Sequence, residues 1–170
     1  MTALDLSRLN ILLVDDSQHM LVLLSSILNA LGVRNIKQAP DGSDALAIMR
    51  DFPTDIVICD WLMKPTDGLT FTRVVRTAKD SPNPYIPIIL LTAHTELSRV
   101  KEARDAGVNE VLAKPVAPKL MYDRLVRIID NPRSFIQSLM YTGPDRRRKN
   151  VGPPKGEDRR DPNRETALLG

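Results

Sequence analysis

One cysteine, one tryptophan and an aromatic content of only 4% are the scarcest features of this 170-residue chain. A lone Cys59 excludes an intramolecular disulfide. Its place in the apolar run Ile56-Val57-Ile58-Cys59 speaks for a reducing compartment and against a catalytic thiol. With so few rings the core has to be aliphatic. No apolar run approaches the roughly 18 residues that span a bilayer, and the N-terminus has no charged-then-apolar leader pattern, so a soluble, cytoplasmic protein without membrane contact is expected. At 42% apolar content the chain can bury one core but is short for two.

Acid and base nearly balance, at 24 Lys and Arg against 21 Asp and Glu, but not evenly along the chain. Residues 1–130 carry 15 basic and 16 acidic side chains, whereas 131–170 carry 9 and 5. The excess of positive charge therefore belongs to the C-terminal forty residues, a cue for an anionic partner.

What is present is an alternation of short apolar runs with segments of helical period, the pattern of a parallel sheet wrapped by helices. Strands are predicted over Asn10–Val14, Asn35–Ala39, Ile56–Cys59, Pro87–Leu91 and Glu110–Ala113. Met20, Leu24, Ile27 and Leu31 line one face of a first helix that Gly32 can end, and Met121, Leu125 and Ile128 mark the last. Further helices are expected over Ser43–Asp51, Gly68–Lys79 and Glu96–Ala106. The fold class is then α/β, a doubly wound (βα)5 domain over residues 1–130. Residues 131–170 form a Pro, Gly and Arg-rich tail expected to be mostly disordered, although Phe135, Ile136, Leu139, Met140 and Tyr141 are spaced to make one short helical face.

In an open parallel sheet ligands sit at the carboxyl ends of the strands. Asp15 and Asp16 fall after the first strand, Asp60 after the third, Thr92 after the fourth and Lys114 after the fifth. Three carboxylates in one place repel one another unless a cation joins them. Magnesium suits the set, because it binds through one or two carboxylates and takes its other oxygens from water and phosphate. A carboxylate can accept a phosphoryl group as an acyl phosphate, and Asp60 on the central strand is best placed to do so. Lys114 would act as a point charge on the phosphoryl oxygens, and the Thr92 hydroxyl would donate to another.

Taken with Ile11-Leu12-Leu13-Val14-Asp15-Asp16-Ser17, Ile58-Cys59-Asp60-Trp61-Leu62-Met63, Asp67-Gly68, Leu91-Thr92-Ala93 and Ala113-Lys114-Pro115, residues 8–130 resemble the CheY-like response-regulator receivers. The resemblance implies a flavodoxin-like sheet of order 2-1-3-4-5 and two-component phosphorelay signalling. Asp60 would be the phosphoacceptor of a histidine kinase. Asp16 would bind Mg2+ directly, Asp15 through water, and the Leu62 backbone carbonyl would complete the protein ligands. It also implies room for the phosphoryl group at Ala93, a cis Lys114–Pro115 bond, and output by protein contacts on the fourth helix, fifth strand and fifth helix. Such a protein is not an enzyme, beyond catalysing its own phosphorylation and dephosphorylation.

The chain departs from the family pattern in three places. The proline expected directly after Met63 stands one place later, at Pro65; the aromatic usual three residues before the lysine is Val111; and the positions that govern the attacking water hold Leu62 and His94.

In the tail, Gly143-Pro144-Asp145-Arg146-Arg147-Arg148 is echoed by Gly156-Glu157-Asp158-Arg159-Arg160-Asp161, and seven of its nine cations are arginine. Arginine pairs with phosphate and with the O6 and N7 edge of guanine, and an adjacent aspartate can accept from guanine N1 and N2. The tail resembles that of CheY-like receivers whose arginine-rich extension binds cyclic di-GMP and which act at the flagellar motor or at surface-attachment machinery. Asp145, Arg146, Arg147, Arg148, Asp158, Arg159, Arg160 and Arg164 would then be the ligand residues.

The alternative is a plain receiver whose basic tail is a solvated linker or meets a nucleic acid or a protein. Against nucleic acid, the tail has no helix-turn-helix pattern and few stacking aromatics. A phosphate-ester hydrolase of related fold would need an Asp-x-Asp pair at Asp60, where Leu62 stands instead.

Overall fold

The structure is a computed structural model that describes residues 4–146. Five strands, β1 (Asn10–Val14), β2 (Asn35–Ala39), β3 (Ile56–Asp60), β4 (Ile88–Thr92) and β5 (Glu110–Ala113), form one parallel sheet in the order β2-β1-β3-β4-β5. Between and after them run α1 (Gln18–Ala30), α2 (Gly42–Asp51), α3 (Gly68–Thr77), α4 (Leu97–Ala106) and α5 (Pro118–Asp130).

Alternate residues of each strand feed two separate cores, as the two-residue period of a strand requires. Ile11, Leu13, Ile56, Ile58, Ile89, Leu91 and Leu112 meet Leu21, Leu24 and Leu28 of α1 and Met121, Leu125 and Ile128 of α5. Leu12, Val14, Val57, Cys59, Ile88 and Leu90 meet Ala45 and Met49 of α2, Leu69, Phe71 and Val75 of α3, and Ala103 and Ala106 of α4. Burial on both faces explains why the central strands read as unbroken apolar runs.

The helix starts are capped by side chains that the sequence supplies at the right offset. Oxygens of Ser17, Asp41 and Asp67 accept from the backbone N–H of Met20, Asp44 and Thr70 at 3.3, 2.9 and 2.7 Å, each cap contributing about 1 kcal/mol. Gly107 ends α4 with φ +99°, a left-handed conformation that favours glycine.

Three strand boundaries differ from expectation by one residue. Asp60 and Thr92 belong to their strands, because the Trp61 N–H donates to Leu91 O at 2.9 Å and the Lys114 N–H to Thr92 O at 2.8 Å. Pro87, without an N–H, lies outside β4 and contributes only its carbonyl to Val57.

The larger correction concerns the segment after α5. Phe135 to Tyr141 form no helical face. Instead β6 (Phe135–Gln137) pairs antiparallel with β7 (Thr142–Pro144), Ile136 opposite Gly143. Their connection is closed by the Ser138 N–H donating to Tyr141 O at 2.8 Å and the Tyr141 N–H donating to Ser138 Oγ at 3.0 Å. The hairpin replaces helix because the domain offers it partners. Phe135 lies over the Arg76 guanidinium at 4.9 Å and edge-on to Tyr85 at 5.0 Å, and Gly143 approaches Gly107 so closely that a Cβ there would stand 2.8 Å from the Gly107 Cα.

Candidate functional site

The strand register puts the polar side chains on one rim. Val14 of β1 pairs with Cys59 of β3, Asp60 with Leu91 of β4, and Thr92 with Ala113 of β5. Asp15, Asp60, Thr92 and Lys114 therefore stand at the same level along neighbouring strands. Oxygens of Asp15, Asp16 and Asp60 lie within 4.8 Å of one another, and the Lys114 ammonium makes an ion pair with Asp60 Oδ1.

Asp60 is buried in this cluster, with its backbone carbonyl accepting from the Cys59 thiol at 3.3 Å. Asp15 is buried too. Its Oδ1 accepts from the Ser17 N–H at 2.8 Å, while its Oδ2 has no hydrogen-bond partner among the described residues. Burial holds the Asp15 carboxyl above the usual carboxylate range; the Ser17 hydrogen bond opposes that shift, the Asp60 charge adds to it, and Lys114 opposes it. Asp16 is exposed, and its Oδ2 accepts from the Lys64 N–H at 3.1 Å. A buried, partnerless carboxylate oxygen beside two more carboxylates is a donor set that fits a hard divalent cation.

The site has a definite mouth. Trp61 is buried beneath Arg99, whose guanidinium lies 5.5 Å from the ring centre, and Leu62 next to it is exposed. Trp61, Leu62, Thr92, His94 and Arg99 enclose a small cavity. The Thr92 hydroxyl is occupied within its own loop, accepting from the His94 N–H at 2.9 Å and donating to the His94 carbonyl at 3.1 Å. His94 itself is exposed beside Glu96, and Val111 is half-buried on β5. The Lys114–Pro115 bond is cis, as is Lys64–Pro65.

The structure thus brings together Asp15, Asp16, Asp60, Thr92 and Lys114, with Leu62 at the edge. Three contributors were missed by sequence reasoning. The Ser17 and Lys64 N–H groups orient the two leading aspartates, and backbone donors carry no residue signature. Gly68, noted in a motif and as a helix start, lies directly against the Asp60 backbone, and a glycine directly after a capping aspartate was the available signal of that close approach.

Of the ligand residues expected in the tail, Asp145 and Arg146 are described, at the end of the sheet opposite this rim. The Asp145 N–H donates to Ser134 O at 2.7 Å, and Arg146 pairs with Asp105. Arg147, Arg148, Asp158, Arg159, Arg160 and Arg164 lie outside the described residues.

Residues 11–126 match the response regulator receiver domain family. The chain is 30% identical over 122 residues to the chemotaxis protein CheY of Pseudomonas aeruginosa, covering 72% of this chain and 97% of that one. It is 38% identical over 109 residues to a probable chemotaxis protein CheY of Rhizobium etli, covering 64% and 82%. Among solved structures, a Vibrio cholerae chemotaxis protein CheY4 superposes with TM-score 0.64 at 30% identity, covering 71% of this chain and 98% of that one. The receiver domain of a Pseudomonas aeruginosa sensor histidine kinase, with a magnesium ion coordinated in its active-site cleft, superposes with TM-score 0.63 at 30% identity, covering 72% and 98%.

Proposed function

Because this chain belongs to the response regulator receiver family, we propose that it takes a phosphoryl group from a histidine kinase onto Asp60, with Mg2+ held by Asp15, Asp16, Asp60 and the Leu62 carbonyl. The observation that carries this reading is the buried Asp60 carboxylate at the end of the central strand, paired with Lys114 and beside the partnerless Asp15 Oδ2. A bound cation would relieve the repulsion among the carboxylates and draw charge from the transferring group.

The chain's own residues have definite tasks. An Asp60 oxygen attacks phosphorus in line with the leaving nitrogen of the donor histidine. The new O–P bond forms as the P–N bond breaks, and the electron pair returns to the imidazole. Lys114 moves from the Asp60 oxygen to the phosphoryl oxygens, where its ammonium is worth most in a water-poor site. Thr92 reaches the same group only by giving up its hydrogen bond to the His94 carbonyl. Output then follows through protein contacts on the face of α4, β5 and α5, a flagellar motor component being the kind of target that the chemotaxis relatives suggest.

The test is intact mass after incubation with Mg2+ and a small acyl phosphate. Wild type should gain one phosphoryl group, Asp60→Asn none, and removal of Mg2+ should prevent the gain. An Asp60→Asn protein that still gains the group would sink the assignment.

The tail reading is separate: cyclic di-GMP bound by the Asp145-Arg146-Arg147-Arg148 and Asp158-Arg159-Arg160 units and Arg164. Its support is compositional, an arginine bias and a repeated acid–arginine unit. Calorimetry on the full chain should show binding that disappears when residues 147–170 are removed; no heat with the full chain would end it.

A further inference from the structure

Hairpin β6–β7 rests on the C-terminal end of α4 through contacts that converge on one side chain. Arg146 Nη1 donates to Asp105 Oδ1 at 2.9 Å, and its guanidinium lies 4.3 Å above the centre of the Tyr141 ring. The Tyr141 hydroxyl faces two carbonyls, Pro144 at 2.8 Å within the hairpin and Arg104 at 3.4 Å on α4. Beside them the Thr142 carbonyl and Gly143 lie against Gly107, the residue that ends α4.

Arg146 is also the first member of the run Arg146-Arg147-Arg148. In the docked hairpin Arg146 gives Nη1 to Asp105 and one face to the Tyr141 ring, so a phosphate at its remaining N–H groups would stand beside the Asp105 carboxylate and be repelled by it. Asp105 is fixed in α4 and cannot follow the arginine to a ligand bound away from the helix. Docking of the hairpin and capture of a phosphate by this arginine therefore oppose each other.

We infer that β6–β7 is a latch on α4 held by the Arg146–Asp105 pair, and that a phosphate-bearing ligand which engages Arg146 releases the hairpin from the end of that helix. The ligand half of this inference rests on reading the tail as a ligand-binding segment; the latch half does not. Reciprocity follows from linkage, since whatever the ligand does to loosen the hairpin, the docked hairpin does to weaken the ligand. It also gives the tail a physical route to the phosphorylation site. The loop of Thr92 to Glu96 leads into α4 at one end, and the latch grips the other.

The experiment uses the full chain as wild type, Asp105→Asn and the control Glu102→Gln, which removes another half-exposed carboxylate from the same helix. Amide hydrogen exchange is read in β6–β7 without ligand and with cyclic di-GMP, and affinity is read by calorimetry. Without ligand, Asp105→Asn should exchange hairpin amides roughly two- to five-fold faster than wild type, the size of effect an exposed ion pair supports, with the parallel sheet unchanged. With ligand, wild type should exchange as fast as the variant, and Asp105→Asn should bind roughly two- to five-fold more tightly while Glu102→Gln binds as wild type. Equal hairpin protection in wild type and Asp105→Asn overturns the latch. Equal tightening by Glu102→Gln overturns the competition, since it would reflect general charge alone. If the dinucleotide binds none of the three, the tail reading and the ligand half fail together, while the ligand-free comparison still decides the latch.

Discussion

Gly68 lies directly against the backbone of Asp60: a Cβ at Gly68 would collide with the Asp60 carbonyl oxygen and stand 2.7 Å from Leu90 Cδ1 and 3.1 Å from Trp61 Cα. The Gly68 N–H donates to the Trp61 carbonyl at 2.8 Å, so α3 starts by clasping the strand that carries the proposed phosphoacceptor. Gly68→Ala should push α3 away from β3 and cost about 1–3 kcal/mol in urea unfolding. Phosphoryl acceptance should fall more than that loss of stability explains, because Asp60 itself moves. A variant with wild-type stability and wild-type acceptance would refute this.

Lys114 neutralises a carboxylate that the fold has taken out of water. Truncation to Met leaves Asp60 buried and unpaired, so stability should drop by about 1–3 kcal/mol, below the full range for buried pairs because Lys114 is partly exposed. Added Mg2+ should restore part of that loss, measured as a larger rise in melting temperature for Lys114→Met than for wild type.

Asp15 is set against the stability of the metal-free fold. Its carboxyl is held above the ordinary range mainly by burial, so the folded chain binds a proton there more readily than the unfolded chain does. Between the ordinary and the raised pKa, stability therefore falls as pH rises. Asp15→Asn should melt a few degrees higher than wild type near neutral pH without Mg2+, and should lose most of the Mg2+ response. Binding can be followed by the emission of Trp61, the chain's single tryptophan, which lies next to Asp60. Mg2+ affinity should also fall on acidification sooner than an ordinary aspartate would dictate. An Asp15→Asn protein that binds Mg2+ as wild type does would remove Asp15 from the ligand set.

Tyr141, like Asp15, is an acid that becomes an anion, and it has the same sign of linkage. Burial raises its phenol above the ordinary value, against the pull of Arg146 and Arg76. The hairpin contact it makes should be fully present below the unfolded tyrosine value near 10 and lost as pH rises through the folded one. Absorbance of ionised phenol and amide exchange in β6–β7, followed together up the alkaline range, should change in step. Release of the hairpin well before tyrosine ionises would show that another group governs it.

The sheet was legible because its central strands β1, β3 and β4 are buried on both faces and announce themselves as apolar runs, and because Asp and Thr interrupt those runs at their ends. The site was legible for the same reason, since topology alone gathers the ends of β1, β3, β4 and β5. The hairpin was not. Two strands of three residues carry too few positions for a period, and Ile136, Leu139 and Met140 fall at helical spacing by coincidence. Its stability comes from residues distant in sequence, notably Arg76. That arginine is buried, donating to the carbonyls of Gly107 and Pro84 and to Asn109 beneath Phe135, where burial lowers its pKa to about 10. Nothing in the local sequence of α3 distinguishes Arg76 from its exposed neighbour Arg73. Glu110 is similar, a buried acid at the start of β5 ringed at 3.5–3.7 Å by Arg124, Arg127 and Arg133.

Cys59, on the inner face of β3, has a thiol that burial pushes well above its ordinary pKa. A sulfur so sheltered is silent toward alkylating probes while the sheet is closed and becomes available only when the central strand opens. The protein thus carries a native chemical stopwatch one residue from Asp60. Its modification rate reports how often the floor of the site breathes, and a dye attached to a cysteine introduced on the surface can be read without first removing it.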